Sequence, residues 1–234
     1  MKIAQPKFVI DRMKPAYDFY VKQGIAPMQG ILRIEADLQN GKGNYKFDIK
    51  KDSSLLGPAE RSMDQWDIFC VETLMVGLRV EDKTKPGFAP LLTYPFLGDA
   101  GITSMKGFDN LDIAALYNGT LSIKTNQVQN LENLPLSHFL YIPETQPSGA
   151  TQLAQTDLSG VRLLMPENIV FAGTTKHEIE VNFPYTANST FYAEGESSYT
   201  NYQTKIVFEA TGFTIKGGAD SAYKVDGNPL KNRF

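Results

Sequence analysis

Apolar and polar residues change places at every step through the best-defined segments of this chain. Leu32, Ile34 and Ala36 alternate with Arg33, Glu35 and Asp37, and Tyr45, Phe47 and Ile49 with Lys46, Asp48 and Lys50. His177, Ile179, Val181 and Phe183 do the same against Glu178, Glu180 and Asn182. A period of two sends successive side chains to opposite faces of a strand, so each segment buries one face and wets the other. That pattern suits antiparallel sheets packed on a common core and does not suit a helix. A longer strand is expected over 66–81, with Leu74, Val76, Leu78 and Val80 on one side, and a final pair over 204–210 and 213–216. Asn118-Gly119 lies between two alternating runs and predicts a two-residue hairpin, with Leu116 opposite Leu121 and Ala114 opposite Ile123.

Two segments break the pattern. Pro15 to Lys22 reads as a short helix ending before Gly24, with Asp11 as a cap and Tyr17, Tyr20 and Val21 on one face. Residues 1–27 then form either a lid on a sandwich or an arm towards a neighbour or a lipid layer. Residues 144–160 are polar and rich in small residues, which makes them a linker candidate. The predicted fold is therefore all-β: an N-terminal helix or arm (1–27), a first sandwich (28–147) and a second (148–234). A single elaborated sandwich is the alternative. Two separate globules would leave about 2,000 Å² more surface exposed than one, so two sandwiches should pack firmly on each other or on neighbouring subunits.

The formal net charge is −3, with Lys and Arg scattered through the 234 residues, which argues against a specific nucleic-acid surface. One cysteine, Cys70, leaves no intramolecular disulfide and no multi-cysteine metal site, and its apolar run (68–71) marks it as a buried small hydrophobe. No secretory leader or 18-residue apolar span is legible, so synthesis in a cytoplasm is expected.

No catalytic constellation stands out. His138 and His177 are the only histidines, and neither is placed by sequence beside a nucleophile. Glu178 and Glu180 share a strand face, the arrangement a glycosidase could use, but charged residues on any solvated strand face do the same. Asp64 and Asp67 flank Trp66, a constellation on which a sugar could stack. Lys216-Gly217-Gly218 is too short for a phosphate loop. The expectation is a non-enzyme with no catalytic residues, no cofactor and no metal.

Several stretches together carry a family resemblance. Gly43 to Ile49, Asp67 to Val71, Thr93-Tyr94-Pro95, Leu116 to Ile123 and Phe139 to Gln146 resemble, in order and spacing, the first jelly roll of double-jelly-roll major capsid proteins. Those proteins build small, tailless, membrane-containing icosahedral phages of the corticovirus and finnlakevirus type. Leu163 to Gly173 followed by Glu178 to Val181 resembles the opening of the second jelly roll. The resemblance implies two jelly rolls side by side and homotrimers with a pseudohexagonal outline, tiled over an internal membrane into a virion shell. Its implied partners are other copies, vertex and minor capsid proteins, and membrane lipids through residues 1–24, where Lys2, Lys7, Arg12 and Lys14 lie among apolar residues. The alternative function is a lectin-like sandwich, such as a phage spike or receptor-binding module, using exposed aromatics among Trp66, Tyr94, Tyr199 and Tyr202.

Overall fold

A computed structural model describes residues 7–39, 42–87, 91, 117–140, 162–184, 202–219 and 227. One helix, α1 (Lys7–Lys22), precedes eight strands: β1 (Met28–Asp37), β2 (Asn44–Phe47), β3 (Ile68–Asp82), β4 (Thr120–Thr125), β5 (Val128–Pro135), β6 (Leu163–Ala172), β7 (His177–Asn182) and β8 (Tyr202–Ile215). The strands form two four-stranded antiparallel sheets, in the orders β1-β8-β3-β6 and β2-β7-β4-β5.

These orders have a simple origin. β4 pairs with β5, β3 with β6, β2 with β7 and β1 with β8, each antiparallel. The pairs are nested, so the described strands form one long two-stranded ribbon whose tip is the Asn126-Gln127 turn, with Asn126 in the left-handed region (φ 53°). The ribbon is rolled up so that β8 also pairs with β3 and β7 with β4. Three of the four nested pairs join a strand before residue 147 to one after 148. The expected division at 147/148 into successive sandwiches therefore does not separate the described strands, which share one core.

That core takes the even side of β1 (Leu32, Ile34), Tyr45 and Phe47 of β2, Leu121 and Ile123 of β4, Ile179 and Val181 of β7, and Ile206, Phe208 and Ala210 of β8. β3 contributes Phe69 and Val71, then Leu74, Val76 and Leu78; its change of parity is absorbed by a bulge between Val71 and Thr73. The alternation expected for these segments is present in each.

Other expectations are corrected. Leu121 stands between Leu134 and Val181, so both flanks of β4 are filled by β5 and β7; its expected partner Leu116, like Ala114, lies outside the described residues. The Asn-Gly turn instead leads into β4, while β5, a polar run without alternation, is its hairpin partner. The two short strands expected at the C-terminal end are one 14-residue strand, β8, running straight through Gly212. The proposed linker and the short strand near 91–94 lie outside the described residues, apart from Leu91, which is buried in the core.

Helix α1 starts eight residues earlier than Pro15 suggests and carries that proline inside it. Ala16 and Tyr20, one turn apart, are buried against Ile68, Cys70, Val170, Ala172, Ile215 and Ala219 on the outer face of the first sheet. Tyr17 and Val21 flank that contact and stay 43% and 47% exposed, so the three expected face-mates divide between sheet and solvent. The helix ends as expected at Gly24, whose φ of 79° suits a residue without a side chain. No helix among the described residues is long and apolar enough to cross a membrane.

Candidate functional site

The chemistry of the described surface concentrates on the outer face of β1, β8 and β3, beyond the end covered by α1. Register places Arg33 beside Glu209, Asp37 beside Lys205, and Arg79 beside Lys205 on the other flank. Arg79 is 1% exposed. Its Nη1 lies 2.7 and 2.9 Å from the two Glu35 oxygens, and its Nη2 lies 2.5 Å from Glu81. Lys205 reaches Glu81 at 2.8 Å and Glu35 at 3.7 Å. Arg33 joins Glu35 (3.0 Å) to Glu209 (3.4 Å), and Arg162 also bonds Glu209. Another buried carboxylate, Glu60, accepts from the amides of Gly57 and Glu35 and from Lys51 at 2.7 Å.

The electrostatics follow from this geometry. Burial alone would raise the Glu81 carboxyl. Hydrogen bonds from Lys205 and the Gly87 amide, with the charges of Lys205 and Arg79, outweigh it and hold the group below its ordinary value. Glu60 behaves alike: burial pushes it up, and the Gly57 amide, Lys51 and the Glu35 amide bring it down further. Lys205 is pushed down by burial and raised more strongly by Glu81, Glu35 and Asp37. Glu81 and Glu60 are thus held ionised and engaged by cations, so neither is free to donate or take a proton at neutral pH. The ladder's physical effect is to fix register, because slipping β8 by one residue would carry Lys205 and Glu209 into the apolar core.

The residues singled out by sequence are dispersed. Glu180 pairs with Lys46 at 2.7 Å and Glu178 with Lys176 at 2.6 Å, each carboxylate with its own ammonium on the solvated face of the second sheet. Hydrogen bonding and charge from Lys176 lower Glu178, the opposite of what a general acid needs. Asp67 is buried and holds Lys216 (2.6 Å) and the Gly217 amide (3.1 Å), which ties the end of β8 to the turn before β3. Trp66 in that turn is 52% exposed, between Asp67 and the Asp64–Lys216 pair. Cys70 lies under α1. His138 is exposed in a single 3-10 turn (Leu136–Phe139). No group of three or more His, Cys, Asp or Glu among the described residues could hold a metal ion. Tyr94 and Tyr199 lie outside the described residues, and Tyr202 begins β8.

His177 joins the two sheets at one end. Its Nδ1 is 3.1 Å from Thr125 Oγ1, its Nε2 is 2.6 Å from Thr175 Oγ1 and 2.9 Å from the Ala172 carbonyl, and its ring stands edge-on to Phe171. Burial pushes its pKa from 6.5 down to about 4, helped by nearby Lys50 and opposed by the Ala172 carbonyl. The folded protein therefore binds this proton less readily than the unfolded chain. Stability is complete above about pH 6.5 and falls by up to about 3 kcal/mol on the way to pH 4. Urea unfolding across that window should show this slope, and His177→Asn should flatten it even though the variant is weaker at pH 7. A wild-type curve flat from pH 6.5 to 4.5 would contradict the buried neutral ring. Carboxylates lowered by pairing, such as Glu81, keep their full contribution above about pH 5 and lose it as the pH falls from the ordinary glutamate range downward.

Comparison of the chain with profiles of known protein families, with curated proteins and with solved structures finds no match.

Proposed function

We propose that this chain is a non-catalytic shell subunit: one jelly roll that self-associates into a viral capsid. The observation that carries the reading is the nested order β1-β8-β3-β6 over β2-β7-β4-β5. A ribbon rolled this way is the jelly-roll wrap, an architecture used by capsid and lectin domains. The finer fold proposed is thus a single jelly roll with long excursions, in place of two in tandem. A trimer of such chains would present three barrels instead of six. Residues 1–24 and vertex proteins remain the proposed contacts with lipid and with the rest of a virion. The locked carboxylates and the dispersal of the histidines favour a structural role over hydrolysis.

The test is light scattering behind a sizing column over a tenfold concentration range. A discrete oligomer of the 26.0 kDa chain, or a closed particle, is the expected result. Permanent assemblies bury on the order of 2,000 Å² or more per interface, enough to survive dilution. A monomer at every concentration would overturn the reading.

One observation favours a second function. Trp66 is half-exposed on a turn fixed by three backbone bonds, Asp67 N–H to Asp64, Ala219 N–H to the Trp66 carbonyl and Gly173 N–H to the Asp67 carbonyl. A rigid indole beside a carboxylate and an ammonium could stack a sugar ring. Glycan-array binding lost in Trp66→Ala would establish that lectin function.

A further inference from the structure

The four outer strands of the two sheets differ in how their free edges are closed. β2 is four residues long and carries Lys46. β5 is bulged, has Asn133 in the left-handed region and ends at Pro135. β6 contains Pro166. Such devices keep an edge from recruiting another strand. β1 is protected over part of its length only. Arg33 exchanges both backbone hydrogen bonds with Arg61 (2.8 and 2.7 Å), and the Glu35 amide is capped by Glu60.

Those bonds reveal which groups face outward. Since Arg33 and Glu35 direct their N–H groups away from β8, the alternation of an antiparallel ladder turns those of Gln29 and Ile31 the same way. Leu38, of opposite parity, donates its N–H to the carbonyl of Thr204 in β8, as this requires. Among the described residues nothing pairs the outward groups of Gln29 and Ile31. The surface beside them is apolar. Ile31, 55% exposed, is the diagonal neighbour of Phe213 on the outer face, Tyr17 stacks edge-on to Phe213 at 6.4 Å, and Val21 follows one turn later.

We propose that the Met28–Leu32 edge, with Ile31, Tyr17 and Val21, is a two-fold interface between copies of this chain; the proposal rests on the self-association reading. The occupant is a second copy because the edge is complementary to itself. A two-fold axis at Gly30 sets Gln29 of each copy against Ile31 of the other. Both are positions that exchange two backbone hydrogen bonds, so all four outward donors and acceptors are satisfied. The first sheets then become one eight-stranded sheet with both α1 helices on the same face, and the two Tyr17–Val21–Ile31 patches meet. Arg61 and Glu60 block the edge from Arg33 onward and limit an added strand to five residues. A loose peptide gains little from so short an edge, whereas a second copy brings its strand and helix already ordered.

Ile31→Pro tests the edge directly. Proline is tolerated where the missing N–H faces away from the sheet, so β1–β8 pairing is kept while an intermolecular hydrogen bond and its register are lost. Ile31→Lys provides the same test without touching the backbone, and Val128→Lys, on the β5 edge, is the control. In sedimentation experiments on the full chain, both Ile31 variants should raise the self-dissociation constant at least tenfold, and Val128→Lys should leave it unchanged. Wild-type association that both Ile31 variants leave intact would overturn this interface while the shell reading stands. A wild type monomeric throughout would overturn both.

Discussion

Replacing Gly212 by alanine is expected to keep the chain from reaching its native state. Gly212 lies inside β8, three residues before its end, opposite Val71 of β3 and Gly30 of β1. A Cβ there would fall well inside contact distance of the Cys70 carbonyl oxygen, with the Cys70 carbonyl carbon and the Glu72 amide at 3.0 and 3.1 Å. All three neighbours are backbone, and the bulge at Glu72 is what presses them towards β8. No rotamer change relieves the clash, so the two central strands of the first sheet must part. The loss should exceed about 4 kcal/mol, among the largest that single substitutions produce. Gly24→Ala provides the contrast. Gly24 has φ 79° but open space around a Cβ, so only local strain is incurred, on the order of 1 kcal/mol. Circular dichroism and solubility of the two variants compare them directly; a folded Gly212→Ala would refute the close approach of β3 and β8.

Arg79→Met should be the most damaging change to the charged ladder. The guanidinium lies between Glu35 and Glu81, both nearly excluded from water, and removing it leaves two buried carboxylates to Lys205 and Arg33. Breaking a buried pair from one side costs about 3–5 kcal/mol, because the partner charge stays behind. At roughly 2–4 °C per kcal/mol for a domain of this size, the melting temperature should fall by on the order of 10 °C. Adding Glu35→Gln and Glu81→Gln should recover much of that loss, since the penalty lies in the stranded charges. A drop below about 1 kcal/mol would mean that water reaches the carboxylates and that the ladder is ordinary surface.

How much of this could be read in the sequence depends on the range of the interaction. Tyr45 and Phe47, Ile179 and Val181, and Leu32 and Ile34 declare themselves, because one-sided burial writes a period of two into each strand regardless of its partner. Pairing is written nowhere locally. Asn118-Gly119 satisfies every local rule for a hairpin, yet β4 takes β5 and β7 as neighbours, and Leu121 is fully buried between them. β5 was invisible because a strand at the sheet edge, with Gln129, Asn130, Glu132 and Asn133 in it, has little apolar face to alternate. Pro15 reads as a helix start, but packing of Tyr20 outweighs the one hydrogen bond a proline removes. The charged ladder was hidden for a related reason. Arg33, Glu35, Arg79 and Lys205 look like the wet side of ordinary strands until the register brings them together.

The nesting of the strands also sets when the molecule can come into being. Among the described strands, the first synthesised, β1, finds its partner in the last, β8, and the bed of α1 includes Ile215 and Ala219. During translation β1 lacks its partner strand, and the bed of α1 is incomplete, until β8 has left the ribosome. Among the described nested pairs, the β4–β5 hairpin can close first, and each later pair must close a longer loop, a topology associated with slow folding. Apolar segments such as Ile68–Val71 stay unpaired through that interval, when the nascent chain is most open to misassociation. An edge at β1 that becomes competent only after β8 arrives would make intersubunit contact a signal that the subunit is complete.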